Sequence, residues 1–147
     1  MLILNAGWID LDLMRTQEAA MSEAKPFTRI ATDAAGGSTF QDDQIPLDTP
    51  LAITGMPPML AGTMPAASAA VYVRAGTPGS DPDPAPHTAP RRQWVVMLRG
   101  VIEVEVTDGS RRTFGPGDLM RAEDTDGTGH ITRWVGDPPF EALFLPG

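Results

Sequence analysis

The sequence predicts an all-β protein, an antiparallel sandwich or barrel built from short strands. The chain of 147 residues contains 15 Gly and 15 Pro, scattered between short apolar runs, and this composition is typical of strands joined by tight turns. Residues 101–107 alternate between apolar and charged side chains, which is the period of a half-buried antiparallel strand. Turn signals recur roughly every eight to twelve residues, as in sandwiches and barrels.

The N-terminal segment differs from the rest of the chain. Leu11, Met14 and residues 18–21 predict a short, weakly amphipathic helix. We therefore expect residues 1–24 to form an N-terminal extension to a β-domain of residues 25–147. Two interpretations remain open: a helix packed on the outside of the domain, or a loose extension, with translation starting natively at Met21.

The β-domain contains a series of predicted strands separated by turn residues. A turn is predicted at Asp33–Ser38, followed by the acidic residues 41–44, and Asp108-Gly109 is a strong hairpin signal. The predicted strands are 27–30, 51–54, 67–74, 93–98, 101–107, 111–114, 119–122, 130–135 and 141–145. These strands favour a single domain.

A proline-rich segment precedes His87. Residues 77–86 have proline at alternate positions near their end, which fixes φ, removes backbone donors and forces an extended path. We expect a stiff loop that delivers His87 to a defined place. If the extended path continues, residues 87, 89, 91 and 93 share one face.

Charge and composition exclude several classes of function. The chain has 19 acidic and 11 basic residues, a net charge of −8, and an acidic surface repels phosphate backbones, so nucleic acid is not an expected partner. There is no Cys, which excludes disulfides and thiolate chemistry. No apolar run is long enough to span a bilayer, and residues 1–12 make a poor signal peptide, so we expect a cytoplasmic protein without a membrane partner.

Two stretches of the sequence resemble the two motifs of the cupin superfamily. His87-Thr-Ala-Pro-Arg-Arg-Gln93, followed after six residues by Gly100, is similar to the first motif, and Gly115-Pro-Gly-Asp118 followed by Gly129-His130 is similar to the second. More narrowly, His-x-Ala-Pro-Arg-Arg-Gln resembles a subgroup of small bacterial cupin-domain proteins without a well-established activity. The resemblance implies a cupin-type jelly-roll β-barrel and a homodimer formed by edge-strand exchange or sheet packing.

The resemblance also implies a metal site that this chain has in incomplete form. Metal-binding cupins offer three His and one Glu; carried over by position, His87 and His130 remain, Ala89 replaces the second His and Gln93 replaces the Glu. The metal ligands expected here are His87, Gln93 and His130. Without Cys, the expected ion is Fe, Mn, Ni or Zn. Glu123 or Asp124 could supply a missing carboxylate.

Three functional hypotheses follow from these residues, of which the third is a barrel whose site has decayed and that acts only through its surface. The first is a protein that binds a small organic molecule next to a divalent metal, such as an oxygenase, isomerase or lyase; the choice of reaction rests on analogy of fold. The second is a binding or sensor module without metal. An inward Arg91 would suit a carboxylate or other anionic ligand, whereas surface pairing is its ordinary role. Trp134 and Asp124 are further candidate ligand-binding residues, with core packing and a loop position as their ordinary roles.

Overall fold

The structure is a computed structural model that describes residues 23–65, 67–75, 84–136 and 140–147. The described residues form strands and loops without an α-helix. The predicted N-terminal helix and the first part of the proline-rich segment lie outside the described residues. The strands are β1 (Ala24–Thr32), β2 (Ser38–Pro46), β3 (Thr49–Leu51), β4 (Met59–Ala61), β5 (Val71–Ala75), β6 (Gln93–Arg99), β7 (Val101–Glu105), β8 (Arg111–Phe114), β9 (Leu119–Ala122), β10 (Ile131–Val135) and β11 (Phe140–Pro146).

The described chain divides into two compact units. The first contains residues 23–25 and Gln44–Met64, and its β3 and β4 pair antiparallel. Within this unit the backbone N–H of Leu47 donates to the carbonyl of Glu23. The second unit contains Pro26–Asp43 and the described part of Pro65–Gly147, and it holds the predicted site residues.

Two sheets form the core of the second unit. The larger has the strand order β2-β1-β9-β6-β11-β5, and the smaller has the order β10-β7-β8. Buried apolar side chains from both sheets, such as Ile30, Met97 and Val104, belong to one hydrophobic cluster. The all-β prediction is confirmed, but the sheets are not wholly antiparallel, because β1 pairs with β9 in parallel. Among the described residues the sheets do not close into a hydrogen-bonded barrel.

The β7–β8 hairpin forms as its sequence predicts. Ile102 and Val104 are buried at 4% and 1% exposure, while Glu103 and Glu105 lie half-buried on the opposite face. Gly109 takes a φ of 86° in the turn, a conformation that favours glycine. The alternating pattern and the turn residue together define this hairpin.

Several predicted boundaries were wrong. Strand β2 was predicted as a turn followed by an acidic segment, but the turn ends at Gly37 and the acidic residues belong to the strand. Because β2 lies at the edge of its sheet, its polar side chains remain outside the core, and Asp43 accepts a hydrogen bond from Arg29 at 2.6 Å.

The other two errors concern exposed apolar residues. The predicted strand at 51–54 ends at Leu51, because Gly55 with a φ of 86° closes a turn in which Met56 N–H donates to Ile53. In the predicted strand 67–74, the strand begins only at Val71. Leu51, Ile53 and Val71 are 45–51% exposed, so their apolar character did not indicate a core strand. The part of the chain that the structure describes contains no apolar helix of a length that could span a membrane.

Candidate functional site

The second unit contains a partly open cavity of about 450 Å³, within the size range of small-molecule sites. Its walls come from both sheets and from the loop that carries His87. Most of the wall is apolar. The residues that line it are Ile30, Pro84, Ala85, His87, Ala89, Pro90, Gln93, Val95, Ile102, Val104, Met120, Ala122, His130, Thr132, Trp134, Phe140 and Phe144.

The two histidines of the sequence meet at this cavity. His87 and His130 form an antiparallel backbone bridge, in which each N–H donates to the other's carbonyl at 2.9 Å. Their ring centroids lie 4.6 Å apart, with the ring planes at 58°. Residues separated by more than forty positions are thereby held side by side, as the motif spacing predicts.

The hydrogen bonds of the rings define which nitrogen carries hydrogen. His130 Nδ1 lies 2.6 Å from Asp124 Oδ2, and His87 Nδ1 lies 3.2 Å from the carbonyl oxygen of Ala85. A carbonyl oxygen only accepts, so Nδ1 of His87 is the donor, and Nδ1 of His130 is the donor when Asp124 is ionised. In the neutral imidazoles Nε2 is then the acceptor, and the pair offers two unprotonated nitrogens.

Asp124 acts on the site through His130. It is fully buried at 0% exposure, and it does not line the cavity. Its Oδ2 accepts from His130, while Oδ1 is buried without a hydrogen-bond partner among the described residues. A carboxylate behind an imidazole fixes the ring's orientation and raises the basicity of the other nitrogen, which is the arrangement found in general bases and in metal ligands.

Glycine at position 129 makes the histidine bridge sterically possible. Gly129 has a φ of 77°, and a Cβ there would lie 2.1 Å from the carbonyl oxygen of His87. Gly127 similarly allows close approach to the Gly36 carbonyl. The backbone N–H of Ala89 also donates to the Asp124 carbonyl at 3.1 Å, so the His87 loop is tied to the loop before His130 at more than one point.

Gln93 and Trp134 both line the cavity, as does Ala89. Gln93 is buried at 5% exposure at the start of β6. Trp134 packs against Phe140, with ring centroids 4.9 Å apart, and its Nε1 is buried without a partner among the described residues. The structure therefore brings these two predicted residues to the same cavity as the histidines.

Arg91 does not line the cavity with them. Residues 87, 89, 91 and 93 were expected to share one face. Residues 87, 89 and 93 line the cavity, but Arg91 is exposed. The reason is a bend at residues 90–92, which breaks the side-chain alternation that an extended strand would give. Glu123 is also elsewhere engaged, since it accepts from Arg121 at 3.0 Å.

Thr132 and Phe140 are cavity residues that the sequence reasoning did not single out. Thr132 lies between His130 and Trp134, and the alternation of a strand places all three on one face. That parity is the signal that could have identified it. Phe140 offers no comparable signal, because its place depends on how β11 pairs with β6.

Three residues that line the cavity could hold a metal ion, His87 and His130 through their imidazoles and Gln93 through its amide oxygen. Nδ1 of both histidines is engaged, which leaves Nε2 of each for an ion at about 2.0–2.1 Å. Asp124 lies on the Nδ1 side of His130 and does not line the cavity. No group of three or more His, Cys, Asp or Glu suited to a metal ion occurs among the described residues.

No family model matches the sequence, and no curated protein matches it in a similarity search.

Proposed function

We propose that the protein binds a small organic molecule in the cavity, with the polar end of the ligand at His87 and His130. The observation that carries the proposal is the combination of an apolar cavity of about 450 Å³ with two imidazoles that converge at its wall. A concave apolar site with a few convergent polar groups is the usual form of a ligand pocket. The apolar wall supplies affinity, and the imidazoles fix orientation.

The resemblance to cupins is part of this proposal. Its support is that the two motif histidines, His87 and His130, meet in space, and that the intervening strands build two sheets with a common core. Such a protein would place its ligand where metal-binding cupins place theirs. The cupin-type barrel remains a proposal based on these motifs.

The test is ligand-dependent stabilisation of the full chain. Cyclohexanol, phenol, indole and hexanoate are suitable probes, since a ligand that binds only the native state raises its melting temperature. The change Ala122→Phe adds a ring at a cavity wall, and Thr113→Leu adds similar apolar bulk at an exposed position of β8. We expect stabilisation by at least one probe, retained in Thr113→Leu and lost in Ala122→Phe. Equal stabilisation of both variants would contradict the proposal.

A second candidate is a metal-assisted enzyme that uses the same residues. The observation that favours it is that both Nδ1 atoms are hydrogen-bonded, as metal-ligating histidines commonly are. His87 and His130 would hold a divalent ion through Nε2, and Gln93 through its amide oxygen. A bound ion would supply Lewis-acid polarisation of a ligand oxygen. These three metal-binding side chains are neutral and would leave the charge of the ion uncompensated. We therefore expect the ion to bind more weakly than in a site that includes a carboxylate.

Elemental mass spectrometry of untagged protein tests the second candidate. We expect near-stoichiometric metal in the unaltered chain and its loss in His87→Ala and in His130→Ala. Thr132→Val is the matched control, because it alters a cavity residue without removing an imidazole. Metal-free protein after supplementation with Fe, Mn, Ni and Zn would reject this candidate and leave the metal-free binding function.

A further inference from the structure

Ser38, at the start of β2, is a buried polar residue close to the histidine bridge. It is 2% exposed, and it does not line the cavity. Its hydroxyl oxygen lies 2.6 Å from the carbonyl oxygen of Gly129, the residue that precedes His130. Because a carbonyl oxygen only accepts, the Ser38 hydroxyl is the donor in this bond.

Thr107, in the turn between β7 and β8, holds Ser38 in place. The backbone N–H of Ser38 donates to Thr107 Oγ1 at 2.7 Å, and the two hydroxyl oxygens lie 3.2 Å apart. Since the hydroxyl hydrogen of Ser38 is engaged by the Gly129 carbonyl, Thr107 donates in the contact between the two hydroxyls. The hydrogen bonds of the side chains therefore run in one direction, from Thr107 through Ser38 to Gly129.

The chain of hydrogen bonds continues into the histidine bridge through one peptide group. The carbonyl of Gly129 and the N–H of His130 belong to the same peptide, and that N–H donates to the carbonyl of His87 at 2.9 Å. A hydrogen bond accepted by a peptide carbonyl polarises the peptide and strengthens the bond that its N–H donates. The hydroxyl of Ser38 is thereby coupled to the backbone of His87.

Thr32 makes a comparable contact that does not reach the bridge. Its Oγ1 donates to the carbonyl of Asp126 at 3.1 Å, so it also joins the region of the β1–β2 turn to the loop before His130. This bond involves neither the Gly129 carbonyl nor the N–H of His130. Thr32 is therefore a matched control for Ser38.

We infer that Ser38 is a positioning residue of the cavity, whose hydroxyl, oriented by Thr107, fixes the backbone bridge that holds the His87 imidazole at the cavity wall. His87 is exposed and lies on a loop, so its place depends on backbone hydrogen bonds more than on packing. The inference rests on the proposed binding function and adds a residue that controls the geometry of the site without touching the ligand.

Amide hydrogen exchange, followed residue by residue in nuclear magnetic resonance spectra of the full chain, tests the inference without a ligand. The reference is the amide of Met97, which is 1% exposed and donates to the Asp118 carbonyl. Relative to this reference, we expect Ser38→Ala to raise exchange at the amides of His87 and His130 about tenfold. A merely structural loss of stability would raise all three amides together.

Two further variants sharpen the exchange experiment. Thr107→Val removes the hydroxyl that orients Ser38 and should raise exchange at the two bridge amides about threefold relative to the Met97 amide. Thr32→Val should leave that ratio within about twofold of the unaltered protein. Equal acceleration of all three amides in Ser38→Ala, or the same selective acceleration in Thr32→Val, would overturn the inference.

Calorimetric titration with phenol connects the bridge to the cavity. We expect phenol to bind Ser38→Ala about fivefold more weakly than the unaltered chain, and Thr32→Val within about twofold. Unchanged affinity for phenol in Ser38→Ala would overturn the inference and leave the binding function intact. If none of cyclohexanol, phenol, indole and hexanoate binds the unaltered chain, the binding function fails, and the exchange experiment by itself decides whether Ser38 fixes the bridge.

Discussion

The change Gly129→Ala tests how the two histidines are held together. A residue other than glycine in the left-handed region costs about 1–2 kcal/mol. In addition, the new Cβ would lie 2.1 Å from the His87 carbonyl oxygen and 2.6 Å from the Thr88 nitrogen. Both contacts involve backbone atoms, so the bridge between His87 and His130 must open. Its two hydrogen bonds contribute about 0.5–1.5 kcal/mol each.

The expected loss is therefore about 2–5 kcal/mol in the free energy of unfolding. Gly117→Ala is the matched control, because Gly117 has a φ of 87° and open space at its Cβ position. It should lose only the conformational part, about 1–2 kcal/mol. Urea denaturation of the three proteins measures the difference. Equal destabilisation by the two substitutions would refute the argument that the bridge between His87 and His130 requires a residue without a Cβ at position 129.

Three further substitutions test separate parts of the structure. The hydrogen bond and the charge of Arg112 lower the pKa of Asp42, so this pair stabilises the fold above the usual aspartate pKa of about 4 and loses that effect as the pH falls further. Asp42→Asn should thus flatten the acid-side decline of stability below about pH 4, measured by urea denaturation at a series of pH values, and an unchanged decline would contradict this expectation. Asp124→Asn should weaken the bond to His130 and cost about 1–2 kcal/mol, measured by thermal unfolding; an unaltered melting temperature would contradict this. Met97→Ala removes a side chain at 1% exposure and should cost about 2–5 kcal/mol in the same assay, whereas a loss below about 1 kcal/mol would refute its place in the core.

The sequence predicted much of the fold where local patterns decide structure. Strands β6 to β9 and the Asp108-Gly109 turn follow from alternation and turn residues, and their predicted bounds agree closely with the structure. Strand β2 could not be predicted in this way. Its acidic residues are stabilised by ion pairs such as Arg29 with Asp43, and such pairs depend on which strands become neighbours.

The site residues, like the strands, were predictable where the signal lies in the sequence pattern, and were not predictable where their position depends on loop conformation. Motif spacing predicted that His87 and His130 belong together, and Trp134, a candidate ligand-binding residue, lines the same cavity. The position of Arg91 was not predictable from parity alone, because the bend after Pro90 ends the extended path. Asp124 was predicted as a ligand-binding residue and as a carboxylate that could complete the metal site. Its contact with Nδ1 of His130 depends on the conformation of the preceding loop.

The most direct test of the account is the tautomer of the two imidazoles, read from long-range proton–nitrogen correlations in nuclear magnetic resonance spectra. The chain contains only two histidines, so assignment needs one variant, His87→Ala. The account predicts that in the neutral rings of both His87 and His130 the hydrogen is on Nδ1, with Nε2 shifting when a hydroxyl-bearing probe is added. Hydrogen on Nε2 in either ring would contradict it, because that ring could then accept neither a ligand hydroxyl nor a metal ion from the cavity.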